Sequence, residues 1–355
     1  MNNNLKKYGL TEKIKKESEK HGELTLARVI EQQRSSYKVM SELGELEATV
    51  SGKFIYETDN QTDYPAVGDW VMLSNVENNQ ATINSLLNRS STMIRASSGS
   101  GGGGQVIATN VDYIFICMSL NDNFNVRRVE RYLTVAWDGG ATPVIILTKS
   151  DLCDDLSERL AELDEVSLGI DTVICSSENE EGFEQIVKYI EEGKTVAFVG
   201  SSGVGKSTII NHLIGTNVLT TSSIREDDDK GRHTTTHRQM LLVPNGGVVI
   251  DTPGMRELQI YTGDLSKTFE DIEELAAQCK FRNCTHISEP GCAIKSAIKN
   301  GQLTQERFDS YQKLQREMSY NGMNARQLEN EKINRMFGSK KEMNRLIKSV
   351  KNKHK

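Results

Sequence analysis

The stretch FVGSSGVGKSTIINHLIG, residues 198–215, contains the run Gly200-Ser201-Ser202-Gly203-Val204-Gly205-Lys206-Ser207, which has the spacing of a phosphate-binding loop. The glycines let successive backbone N–H groups curl around phosphate oxygens. A helix starting near Lys206 adds the positive end of its dipole. Lys206 is placed to reach the β- and γ-phosphates and the Ser207 hydroxyl to hold Mg²⁺, with Thr208 counted among the nucleotide-binding residues. A second string, DTPG at 251–254, closes another apolar run. There Asp251 can hold Mg²⁺ through water, and the Gly254 N–H can meet the γ-phosphate and so sense hydrolysis.

The base would be read by TKSD, 148–151, at the carboxyl end of an apolar run, where ligand loops belong in a doubly wound sheet. Asp151 can accept from N1–H and the exocyclic amine of guanine, a donor pair adenine lacks. The Lys149 stem packs along the base, and Ser150 completes the turn. Thr148 stands where asparagine is more usual. Ser176 and Ser177 of CSS, 175–177, can supply backbone contacts to the base. The expected ligands are therefore GTP and GDP rather than ATP. Base reader, base support, phosphate loop, switch and DTPG follow in that chain order, whereas a conventional GTPase starts at the phosphate loop. One cyclic cut interconverts the two orders, and compact domains with close termini tolerate such a cut.

Between the phosphate-loop helix and the DTPG strand runs a long polar loop, IREDDDKGRHTTTHRQ at 224–239. Thr234 or Thr235 could complete the Mg²⁺ shell when the γ-phosphate is present. The position after DTPG is Met255, which cannot orient water as a glutamine does. His233 is the nearest substitute in the chain, against the plainer reading of a surface histidine.

CKFRNCTHISEPGC supplies Cys279, Cys284, His286 and Cys292. Three thiolates and an imidazole complete a tetrahedral zinc set with no open position, so the zinc is expected to be structural. Cys117, Cys153 and Cys175 are read as ordinary thiols.

These residues need elements to carry them. Residues 1–23 are polar and helix-prone and read as a mobile N-terminal extension. In 24–93, LTLARVIEQ, YKVMSEL, ELEATVSGKFIYE and DWVMLSNVE alternate like short strands between turns. About five such strands predict a small β-barrel of SH3-like or OB type, which could bind RNA or simply space domains. SSGSGGGGQ makes 94–105 a glycine-rich linker. Strand and helix patterns alternate over 106–263, which predicts a parallel, doubly wound α/β sheet. A helical zinc-binding unit occupies 264–320 and a basic tail 321–355. That tail suits an anionic partner or a solvated helix end. The 355-residue chain carries a net charge of -6, so it is not an electrostatic nucleic-acid binder as a whole. It offers no membrane-spanning run and no signal peptide, and a cytoplasmic monomer is expected.

The small barrel, the permuted order, GRHTTT before DTPGMREL, and C-x4-C-x-H-x5-C together resemble the small ribosomal subunit biogenesis GTPase family RsgA, also called YjeQ. The resemblance covers roughly 24–320, with PAVGDWV, NVDYIFI and ERYL as further landmarks. It implies an OB-type barrel that contacts ribosomal RNA, and GTP hydrolysis stimulated by the small subunit during late assembly. It further implies that His233 helps position water and that the Cys₃His set binds zinc. Movement of the DTPG loop could then tilt the zinc unit that follows it directly. The alternatives are an RNA-binding assembly module in which GTP only sets conformation, and a P-loop kinase or ATPase, for which no acceptor pocket is evident.

Overall fold

The computed structural model describes residues 4–96, 103–219, 238–244, 246–252, 260–261, 263–320, 323 and 325–345. The chain opens with two short helices, α1 (Asn4–Lys7) and α2 (Glu12–Ser18), the second capped by the Thr11 hydroxyl. They are docked, which corrects the expectation of a mobile extension. Buried Leu5 packs with Trp70, Met72 and Leu87, flanked by Leu10 and Ile14. The Glu17 carboxylate accepts from both nitrogens of Asn88 at 2.9 and 2.7 Å. Three apolar side chains in an otherwise charged segment are enough to bind it down, and composition alone conceals them.

Five strands follow: β1 (Thr25–Gln32), β2 (Tyr37–Ser41), β3 (Gly44–Val50), β4 (Trp70–Glu77) and β5 (Gln80–Leu86). They pair in the order β1-β2-β3-β5-β4, and β4 returns to β1, closing a barrel. The β3–β5 pairing is parallel and the others are antiparallel, which makes the barrel OB-type rather than SH3-like. Alternate residues Ala27, Val29, Val39, Leu46, Val71 and Ile83 fill its interior. The expected strand ELEATVSGKFIYE is shorter than its apolar pattern suggested. Ser51 caps a helix, α3 (Gly52–Glu57), by accepting from the Phe54 N–H at 3.1 Å, and buried Phe54 anchors that helix.

The region expected to be a linker is flanked by paired strands. β6 (Thr92–Ala96) and β7 (Gly104–Thr109) run antiparallel, from Thr92↔Thr109 to Ala96↔Gly104. Glycine-rich composition hid this hairpin. A Cβ on Gly104 would lie 2.7 Å from the Tyr261 ring, so close packing accounts for the glycine there.

The α/β unit then runs β8 (Tyr113–Ser119), α4 (Val126–Asp138), β9 (Thr142–Thr148), α5 (Leu156–Asp164), β10 (Thr172–Ile174), α6 (Phe183–Val187), β11 (Thr195–Val199), α7 (Lys206–Ile214), β12 (Arg238–Leu242) and β13 (Val248–Asp251). Strands β10-β9-β8-β11-β13 are parallel. β12, expected to belong in part to a loop, joins β13 antiparallel and pairs on its other side with β1 of the barrel through Glu31↔Gln239 and Gln32↔Arg238. One sheet therefore runs through both units.

Both faces of the parallel sheet are covered. Along β8, Ile114, Ile116 and Met118 pack toward Val129, Tyr132 and Leu133 of α4, while Phe115 and Cys117 pack toward Phe198, Ile209 and Ile210. The first core continues into α8 (Glu270–Ala277), α9 (Ala293–Lys299) and α10 (Gln305–Ser319) through Phe269, Ile272, Ile294 and Phe308. A last helix, α11 (Ala325–Phe337), follows. No helix among the described residues is long and apolar enough to cross a membrane.

Arg28 joins three parts of the chain. It is 1% exposed and donates to Tyr8 O, to Gly68 O at 3.1 Å and to Asn110 O at 3.0 Å, with its guanidinium 5.3 Å from the centre of the Trp70 ring. Burial pulls its pKa down to about 10, and the charge persists at neutral pH. Arg28→Ala removes a donor from Tyr8 O and from buried Asn110 O, and one of the two side-chain donors from Gly68 O, which keeps Asn110 Nδ2 at 3.0 Å. It is expected to destabilise the chain by about 3 kcal/mol, read as a lower urea midpoint. Arg28→Lys should recover only part, because an ammonium lacks the planar fork that reaches all three carbonyls.

Candidate functional site

The phosphate loop lies between β11 and α7. Gly200 has φ 150°, and a Cβ there would come 2.6 Å from Cys117 O on neighbouring β8, so only glycine fits. Gly205, at φ 98°, is the left-handed residue from which α7 starts. Lys206, 7% exposed, donates from Nζ to Gly200 O at 2.8 Å and Ser201 O at 2.9 Å. An ammonium has three donors, so the loop engages two of them. Ser207 and Thr208 occupy the first turn of α7, with Ser202 and Gly203 exposed at the loop crest and Val204 buried beneath.

Parallel pairing of Phe198 with Asp251 brings the end of β13 beside this loop. The Thr252 hydroxyl donates to Phe198 O. Burial raises the Asp251 carboxyl above the usual carboxylate range and lowers the Lys206 ammonium, and the attraction between them opposes both shifts. His233, Thr234, Thr235 and Gly254 lie outside the described residues.

The TKSD segment leaves β9 on the other side of the loop. The Thr148 hydroxyl donates to Val204 O at 2.6 Å. A threonine in the usual asparagine position thus ties the segment to the phosphate loop. Lys149 adopts φ 58°, uncommon without a glycine, and turns the chain sharply. The Ser150 N–H donates to Cys175 O at 3.3 Å. Buried Ser176 donates from Oγ to Asp151 Oδ1 at 2.5 Å, which fixes the carboxylate orientation. Ser176 Oγ in turn accepts from the N–H groups of Glu178 and Asn179, each at 3.2 Å. Ser177 is exposed beside it. Each carboxylate oxygen accepts two hydrogen bonds, so the Ser176 contact leaves Asp151 capacity for a pair of donors.

Sequence reading passed over the loop between β8 and α4. Asn123 Nδ2 and Arg128 Nη1 donate to Ser201 Oγ at 3.2 and 3.1 Å. The run NDNFN at 121–125 was the available signal. Asparagines in this density mark a loop held by side-chain bonds to backbone. Asn121 accepts from the Asn123 N–H at 3.1 Å, and Asn125 caps α4 through the Arg128 N–H at 3.1 Å.

Farther along the chain, the ligand atoms of Cys279, Cys284, His286 and Cys292 all lie within 4.8 Å of one another. Cys279 Sγ is 3.9 Å from Cys292 Sγ, and His286 Nδ1 is 3.6 and 3.4 Å from the sulfurs of Cys279 and Cys292. Zinc bonds of about 2.3 Å to sulfur and about 2.0 Å to nitrogen give tetrahedral edges of about 3.8 Å (S···S) and about 3.5 Å (S···N). The cluster therefore fits a zinc ion. The Ala293 N–H, at the start of α9, donates to Cys279 Sγ at 3.3 Å and so favours its thiolate. Chelation is expected to lower the melting temperature and reduce helical content, because the metal cross-links a segment with little core of its own. A melting curve unchanged after zinc removal, verified by elemental analysis, would refute a structural role.

Comparison with known proteins places this geometry. The RsgA GTPase family model matches residues 86–261. The small ribosomal subunit biogenesis GTPase RsgA 2 of Lactiplantibacillus plantarum is 55% identical over 97% of this chain and 97% of its own length. RsgA 1 of Oceanobacillus iheyensis is 44% identical over 89% of this chain and 92% of its own. Among solved structures, YjeQ from Thermotoga maritima superposes with a TM-score of 0.61 at 26% identity, covering 85% of this chain and all of that one. YloQ, a circularly permuted GTPase, gives 0.59 at 25% identity, covering 86% and 98%. With a TKSD segment that precedes the glycine-rich loop in the chain yet adjoins it in space, and a named relative matching over nearly the whole length, this chain belongs to the RsgA GTPase family.

Proposed function

We propose that this GTPase couples GTP hydrolysis to late maturation of the small ribosomal subunit in the cytoplasm, acting as a monomer that contacts ribosomal RNA through its OB-type barrel and is stimulated by the subunit. The observation that carries the nucleotide half of this reading is the join between Thr148 and Val204, with Ser176 steering Asp151, which unites base reader and phosphate loop in one site. The names of the relatives support the ribosomal half.

In this reading the backbone of 200–205 cradles the phosphates and Lys206 meets the β- and γ-oxygens. Ser207 and Asp251 would hold Mg²⁺, which neutralises charge developing between the β- and γ-phosphates. Thr148, Lys149, Ser150 and Asp151 read guanine, supported by Ser176 and Ser177. Gly254 senses the γ-phosphate, Thr234 or Thr235 completes the metal shell, and His233 orients water in place of the glutamine that Met255 replaces. The Cys279, Cys284, His286 and Cys292 set would hold one zinc.

The deciding experiment is GTP and ATP turnover with and without purified small subunits. GTP-selective turnover that rises with subunits supports the proposal. Selective GTP binding with no turnover under either condition would replace it with a module in which nucleotide only sets conformation, a reading that Met255 keeps open. His233→Ala is expected to lower subunit-stimulated turnover about 100-fold with little change in GDP affinity, the scale on which water-positioning and proton-transfer groups act. Asp151→Asn should weaken GTP and favour xanthosine triphosphate, whose C2 carbonyl meets an amide donor. Unchanged GTP affinity in that variant would remove TKSD from the site.

A further inference from the structure

Helix α4 connects the phosphate loop to the zinc-binding unit by side chains on two different faces. On the first face, Arg128 Nη1 donates both to Asn123 Oδ1 at 2.9 Å and to Ser201 Oγ at 3.1 Å, and Asn123 Nδ2 donates to the same hydroxyl at 3.2 Å. The carbonyl of Ser201 accepts from Lys206 Nζ at 2.9 Å. Ser201 is therefore held from its hydroxyl by α4 and its preceding loop, and from its carbonyl by the phosphate-binding ammonium.

On the second face, Arg127, Glu130, Arg131 and Thr134 recur at the three- and four-residue spacing that aligns side chains on one side of a helix. Glu130, Arg131 and Thr134 meet residues of the zinc-binding unit, and Arg127 pairs with Glu130 on the helix itself. Glu130 is 0% exposed. It accepts from Arg127 at 2.6 Å, Arg307 at 2.8 Å and Ser310 Oγ at 2.6 Å. Arg307 also holds Asp271 by two bonds of 2.8 and 2.7 Å, and its guanidinium lies 5.0 Å from the centre of the Phe269 ring. Arg131 pairs with Glu317, and the Thr134 and Thr268 hydroxyls are hydrogen-bonded at 3.2 Å.

We propose that Asn123 and Arg128 are positioning residues that clamp Ser201 of the phosphate loop and, through α4, make the docking of the zinc-binding unit at Glu130 respond to the bound nucleotide. The inference rests on reading 198–208 as a guanine-nucleotide cradle. Phosphate oxygens compete with Ser201 O for the Lys206 ammonium, so the hold on Ser201 differs between nucleotide states. Arg128 registers that difference at the amino end of α4. A capped helix of 13 residues, about 20 Å long, carries it as a rigid body. The buried ion cluster around Glu130 resists partial displacement, because separating its charges in a dry interface is costly. This route is independent of the chain link that runs from DTPG into the zinc-binding unit.

The test is amide hydrogen exchange of the full chain in GDP and in a non-hydrolysable GTP analogue, followed in peptides from 126–138 and 305–319, together with GTP kinetics. Wild-type protein should exchange differently in 305–319 in the two states. Arg128→Ala and Ser201→Ala should each erase that difference and lower kcat about tenfold, the scale of one charge-assisted hydrogen bond, while the KM for GTP shifts less than about threefold. The double variant should be no worse than either single one. Arg128→Lys, whose ammonium can donate to both oxygens, should restore the exchange difference. A difference in 305–319 that survives in Arg128→Ala, or additive losses in the double variant, overturns the clamp. So does wild-type protein that binds both nucleotides with no difference in 305–319. An exchange difference that depends on Arg128 in a protein without turnover sustains the clamp and overturns the hydrolytic reading instead. Should Arg128→Ala not fold, Ser201→Ala removes the same bond from its other end.

Discussion

The site depends on one strand being paired on both sides. β11 lies between β8 and β13, in parallel register with each, from Val196↔Tyr113 to Val199↔Ile116 and from Thr195↔Val248 to Phe198↔Asp251. Parallel pairing points every carboxyl end the same way. The phosphate loop, Asp251 and the asparagine loop after β8 therefore emerge along one edge, and the TKSD segment after β9 joins them one strand further on. Hydrogen bonds between strands are indifferent to the chain order in which the strands arrive. That is why a permuted chain assembles the same neighbourhood as an unpermuted one.

Two units attach to that sheet by different physics. The barrel continues it: β12 pairs with β13 on one side and with β1 on the other, so backbone bonds link the strand just beyond 220–237 to the barrel wall. Buried Arg28 strengthens the join by tying helix, barrel and the turn before β8 together. The helical unit that carries the Cys₃His set docks by side chains instead, through a shared apolar core and the cluster around Glu130. Burial lowers the Arg307 pKa, but Asp271 and Glu130 outweigh it, and the guanidinium is held charged. Such clusters specify one docking geometry more than they add stability.

The chemistry-bearing motifs were legible because each is contiguous. A phosphate loop is a property of successive backbone dihedrals, so its glycines and lysine appear at fixed spacing. The Cys₃His set spans only 279–292, and the structure brings its four ligand atoms together. The alternation of buried strands and helices over 106–263 likewise follows from local hydrophobic pattern. Where local pattern and local composition disagreed, the reading failed. The glycines beside 92–96 and 104–109 concealed a hairpin, and the lysines and glutamates of the first twenty residues concealed Leu5, Leu10 and Ile14.

The sequence by itself determined which groups are available: a glycine-rich loop ending in Lys206 and Ser207, a TKSD turn with a threonine where asparagine is more usual, and a Cys₃His set. Only the tertiary structure decided what each group holds. The Thr148 hydroxyl reaches Val204, 56 residues away, Ser201 is held by Arg128 across 73, and Glu130 meets Arg307 across 177. The physical reason is that these bonds join groups whose neighbours in the chain say nothing about each other. Their partners are set by which strands lie side by side and which helix face turns inward, and those choices are made by the whole core at once.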